Sequence, residues 1–133
     1  MAGQFNLETG ISSRALSGRT LTAASNADTV LTAAQIIDGI VTMTPSTGRS
    51  LTTPSASAIV TELGDGARVG TTFELTVVNV AAATHAITFT AGSSVTLGGV
   101  SGMATVAAAS SATYVGYVTS VSTPAVTFYR KGG

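Results

Sequence analysis

The sequence contains no cysteine and no tryptophan, and it has one histidine and three prolines. Without cysteine, neither disulfides nor thiolate metal sites hold the fold, and the redox compartment is left open. His85 is the only imidazole, so any catalytic triad or histidine-based metal site would have to be built on it. No oriented nucleophile and third group accompany it in the sequence, and it is read as a plain histidine beside a turn. Charge is scarce as well: 9% of residues are charged, against roughly 25% in ordinary soluble domains. The basic residues Arg14, Arg19, Arg49, Arg68, Arg130 and Lys131 are scattered, with no stripe to displace phosphate counterions. Nucleic acid is therefore not an expected partner. No segment reaches the roughly 18 apolar residues that span a bilayer, and Met1–Asn6 lacks a basic region leading into an apolar run. Neither a membrane partner nor an ordinary signal peptide is expected.

Alternation is what the sequence has in quantity. In Thr71–Ala91, Phe73, Leu75 and Val77 alternate with Glu74, Thr76 and Val78; Ile87, Phe89 and Ala91 then alternate with Thr88 and Thr90. Successive strand side chains point to opposite faces, so each run has one apolar and one mainly Thr-rich face. The two runs predict a hairpin of neighbouring antiparallel strands with one side buried. Two strands do not hold such burial alone, so the rest of the chain must supply a covering sheet. With 133 residues the chain suffices for about one domain. Aromatics at 5% imply an aliphatic, thin core.

Residues 1–28 carry widely spaced apolar side chains among Gly, Ser, Thr and Asn and read as an extended N-terminal arm, with 29–133 as a β-rich domain. The arm is either a disordered tail or a segment that orders on a neighbouring subunit, with Phe5, Leu7 and Ile11 as anchors. Thr32 is placed to cap a single turn over 33–37, and Gly39 to end it before a strand at 40–44. Thr53-Pro54 predicts the start of one short helix whose Ala56, Ile59, Val60 and Leu63 share a face, with Gly64 as its stop. Further strands are expected at 94–97, 104–107, 112–118 and 125–130, and Gly116 inside its strand marks a bulge or a close backbone approach. The expected architecture is mainly β: an antiparallel β-sandwich or small β-barrel with one short helix and the arm.

Reactive constellations are weak. Gly99-Val100-Ser101-Gly102-Met103 departs from the Gly-x-Ser-x-Gly elbow at its last position, and Gly98, Gly99 and Gly102 match no phosphate-binding loop. The acids lie far apart, apart from Glu62 and Asp65. No catalytic residue, metal site or cofactor is assigned, and the chain is read as a non-enzyme. Tyr114 and Tyr117, with Tyr129, are the candidate contacts for a surface ligand such as a sugar, against their alternative use at a core edge or interface.

Three segments resemble a pattern in small virion proteins of tailed phages and other large DNA viruses: Leu31-Thr-Ala-Ala-Gln-Ile-Ile-Asp-Gly-Ile-Val, Leu51-Thr-Thr-Pro-Ser-Ala-Ser-Ala-Ile-Val, and Val69-Gly-Thr-Thr-Phe-Glu-Leu-Thr-Val-Val-Asn. The resemblance covers residues 29–130 and leaves the arm outside. It implies a capsid decoration (cement) protein on the outer head, or the β domain of a head fibre or spike, with the major capsid protein as partner and a homo-oligomer, a trimer, as its assembled form. It transfers no catalytic residues. Localisation on the outer capsid surface follows from it, with synthesis in the host cytoplasm. A receptor- or carbohydrate-binding β module of a fibre is the alternative.

Overall fold

The alternating pattern becomes two facing sheets in the computed structural model, which describes residues 18–99 and 102–132. A six-stranded sheet contains β1 (Thr20–Ala23), β3 (Gly39–Met43), β5 (Thr72–Asn79), β7 (Val95–Leu97), β9 (Ser110–Ser120) and β10 (Ala125–Gly132), in the order β1-β3-β5-β9-β10-β7. A four-stranded sheet contains β2 (Thr29–Val30), β4 (Arg49–Thr52), β6 (Ile87–Thr90) and β8 (Thr105–Val106), in that order. Up to β8 the chain changes sheet at every step. Its first six strands therefore wind as a coil, in which β1, β3 and β5 are parallel neighbours on one side and β2, β4 and β6 on the other.

A mainly β, two-sheet fold with few helices is thus present, whereas the predicted hairpin is not. β5 and β6 lie in opposite sheets. Their apolar faces, Phe73, Leu75 and Val77 on one and Ile87 and Phe89 on the other, both point into the core from opposite sides. Strand pairing is antiparallel in β5-β9-β10 and β6-β8 and parallel elsewhere, including β10 with β7. The six-stranded sheet also begins earlier than the expected domain boundary, since Thr20–Ala23 of the predicted arm pairs with β3.

Crossings from the four-stranded to the six-stranded sheet carry the helices. α1 (Ala33–Ile36) is capped as expected: Thr32 Oγ1 accepts from the Gln35 N–H at 3.3 Å, and Gln35 Oε1 accepts from the Thr32 N–H at 2.9 Å. α2 (Ala56–Leu63) buries Ala56 and Ile59 and ends at Gly64, whose φ of 87° suits glycine. Its N-cap is Ser55 rather than Thr53. Thr53 is buried and otherwise engaged: its N–H donates to Thr90 O, and its hydroxyl accepts from the Gly92 N–H at 2.8 Å and donates to Pro54 O.

The opposite crossings are held by amide side chains. Asn26, between β1 and β2, donates to Ser46 Oγ and accepts from Ser46 N–H and Arg49 Nε, all in or beside the next turn of the coil. Asn79, buried at the end of β5, donates to His85 O and Val106 O at 2.8 and 3.0 Å and accepts from the Ala81 N–H at 3.0 Å. It binds the six-stranded sheet to the four-stranded one through groups that would otherwise be buried without partners.

The core is aliphatic around one aromatic cluster. Phe73 and Phe128 meet edge to face at 5.6 Å, Phe128 and Phe89 at 5.4 Å, and Phe89 stacks on Tyr114 at 4.2 Å. Gly116 stands in register between Phe73 and Phe128, and a Cβ there would overlap the Phe73 ring. The close approach expected at Gly116 is thus an aromatic ring seated on bare backbone.

Gly116→Ala is expected to lower stability by about 1–3 kcal/mol through overpacking, read from urea denaturation, while Gly48→Ala, with open space around its Cβ position, leaves the midpoint nearly unchanged. Asn79→Ala strips partners from two carbonyls and one N–H, and the same measurement should show a loss of roughly 2–5 kcal/mol.

Candidate interaction surfaces

Each sheet turns one face to the core and one outward, and the outward faces differ in charge. On the six-stranded sheet the cross-strand rows include Leu21–Ile40–Thr76–Thr113 and Thr72–Tyr117–Thr127. At its centre Glu74 receives Lys131 Nζ at 2.7 Å and Arg19 Nη2 at 3.1 Å, and its backbone N–H donates to Asp38 Oδ1 at 3.1 Å. The outward positions of the four-stranded sheet are Val30, Ser50, Thr52, Thr88, Thr90 and Thr105, with no charged residue. Several charged groups elsewhere serve the fold. Asp28 accepts from the Ser50 N–H, and Arg130 Nη1 donates to the carbonyls of Gly102, Met103 and Thr105, the last at 2.6 Å.

Of the tyrosines proposed as surface contacts, Tyr114 is not on the surface. It is fully buried, stacked on Phe89, and its hydroxyl donates to Met103 O at 2.7 Å. Burial pushes its phenol pKa up, and the nearby Arg130 charge opposes this more weakly. Tyr117 is 39% exposed, and Tyr129 on the neighbouring strand is 49% exposed. These two occupy diagonal positions of the β9–β10 pair on the outward face, a spacing of about 7–8 Å that long side chains bridge. The alternation itself could have separated them: Tyr114 and Tyr117 are three positions apart and so face opposite sides of one strand. Phe5, Leu7 and Ile11 lie outside the described residues.

His85 enters the fold through its backbone, donating to Ala83 O and accepting from Asn79. Among the described residues no group of three or more His, Asp or Glu is placed to hold a metal ion, and no helix is long and apolar enough to cross a membrane. A shallow depression of about 400 Å³ lies at the ends of β5 and β9, lined by Val78, Asn79, Val80, Ala109, Ser110 and Ser111. The Asn79 amide that borders it is already engaged by protein partners. No protein-family model, curated protein or solved structure matches the chain.

Glu74 is held below its ordinary carboxylate pKa, first by the Lys131 hydrogen bond and then by the Lys131 charge, with desolvation opposing and Arg19 adding less. A depressed folded-state pKa stabilises the fold above the unfolded value, and that contribution disappears as the pH falls through the depressed value. Carboxyl NMR titration should find that Lys131→Gln raises the Glu74 pKa toward the ordinary range, and Arg19→Gln raises it less.

Proposed function

We propose that the chain is a non-enzymatic virion structural protein, a capsid decoration protein that binds the outer capsid as an oligomer. Its main structural support is the outward face of the four-stranded sheet, which is free of charged residues and carries the exposed Val30 on its edge strand β2. Uncharged, Thr-rich surface with unguarded edges favours association with protein surface. The three segments that resemble virion proteins fall on connected parts of this design: α1 with β3, β4 with α2, and β5. Retention by many weak contacts, repeated over neighbouring subunits, gives strong attachment without a strong single site.

A second reading draws on the paired Tyr117 and Tyr129. Two exposed rings on a rigid sheet suit stacking against a sugar face, as in a receptor- or carbohydrate-binding module. Gly98 leaves room for the Tyr129 ring, since a Cβ there would lie 2.7 Å from Tyr129 Cε1.

Density-gradient sedimentation of the source particles, followed by mass spectrometry, is expected to find this chain banding with the coat protein at fixed stoichiometry; recovery only as free protein would overturn the capsid assignment. Deleting residues 1–17 should lower retention on particles at least tenfold. Glycan binding abolished by Tyr117→Ala or Tyr129→Ala would move the assignment to the second reading.

A further inference from the structure

Both sheets end on the side where the coil starts: β1 is the edge of the six-stranded sheet and β2 the edge of the four-stranded one. Among the described residues no strand lies beyond either. The hydrogen bonds fix which backbone groups these edges present. Ala24 N–H donates to Thr42 O at 2.8 Å, and in a parallel ladder alternate residues turn both backbone groups toward one neighbour. Thr20, Thr22 and Ala24 thus engage β3, while the N–H and C=O of Leu21 and Ala23 point away from it. Leu31 N–H likewise donates to Thr52 O at 2.8 Å, which leaves the backbone groups of Val30 pointing away from β4.

The side chains at these edges are equally open. Leu21 and Val30 are the most exposed large apolar residues among those described, each 69% accessible. The neighbouring charges are directed inward: Arg19, just before β1, reaches back to Glu74 on β5, and Asp28, just before β2, accepts from the Ser50 N–H on β4. Neither strand contains Lys, Pro or a bulge, the usual guards of an open edge.

Two such edges, separated by the roughly 10 Å between packed sheets, identify the occupant. An added peptide strand covers one edge and leaves the other bare, whereas a second copy of the chain brings the same double edge at the same separation. We propose that two copies join edge to edge about a two-fold axis normal to the sheets, with β1 antiparallel to its counterpart, Leu21 beside Leu21, and β2 facing β2. In that register the two Leu21 residues exchange both backbone hydrogen bonds and Ala23 meets Arg19, so the outward-pointing groups of β1 gain partners. The contact uses the same surface of each copy and closes at two. This rests on the oligomeric decoration reading and makes its unit a dimer, where the resemblance implies a trimer.

The absence of cysteine gives a clean test, since full-length Leu21→Cys carries a single thiol. Paired as proposed, the two Cα atoms stand about 5.5 Å apart, within the span of a disulfide. In a glutathione redox buffer Leu21→Cys should form a disulfide-linked dimer at least tenfold more readily than Val69→Cys, whose native side chain is 59% exposed in the loop before β5. Equal yields from the two, or none from Leu21→Cys, overturn the proposal. Sedimentation velocity is expected to find the native chain as a dimer, and Leu21→Lys and Val30→Lys, which replace exposed side chains, should weaken it at least tenfold with unchanged circular dichroism. A native monomer or trimer, or a dimer that both lysines leave intact, overturns it too. Both readouts use purified protein without particles, so failure here and failure to bind capsids are separate results.

Discussion

Four aromatic rings hold the two sheets in one register. Phe73, Tyr114 and Phe128 come from the six-stranded sheet and Phe89 from the four-stranded one, and their contacts run unbroken from Phe73 through Phe128 and Phe89 to Tyr114. The arrangement depends on Gly116, because Phe73 can lie against its own neighbouring strand only where no side chain intervenes. Around that cluster the core is aliphatic, so the rings supply much of its shape as well as its burial.

The coil places two different demands on its ends. Where the chain passes from the four-stranded to the six-stranded sheet, α1 and α2 bring apolar residues over the core. Where it returns, Asn26 and Asn79 satisfy the turns with side-chain amides. Much of the small complement of charge, Asp28, Asp38, Arg49 and Arg130 among it, is likewise committed to backbone or turn groups. The outward face of the four-stranded sheet is left to Val30, serine and threonine.

Facing was legible in the sequence and partnership was not. Period-two alternation marks Phe73, Leu75, Val77, Ile87 and Phe89 as one-sided, but it is satisfied equally by two strands side by side and by two strands facing across a core. The strands at 94–97, 104–107, 112–118 and 125–130 were visible because Gly and Ser-rich turns bracket them. The N-cap moved from Thr53 to Ser55 because Thr53 is claimed by Gly92, a partner 39 residues away that local pattern does not reveal. At the surface, Tyr117 was recognisable and Tyr114 misplaced, though strand parity distinguishes them. Asn79 and Arg130 acquire their importance only from carbonyls brought near by the coil.

The insertion of β9 and β10 between β5 and β7 affects the order in which the protein can be completed during synthesis. β7 emerges well before its partner β10, and until residues 126–128 are available it has no neighbour in its own sheet. The six-stranded sheet is therefore completed only after β10 is available, even if the coil forms earlier, since domains fold as their distant pairings become available. A ribosome-bound chain would carry β7 as an unpaired strand close to the exit, where a chaperone or a sister chain meets it first.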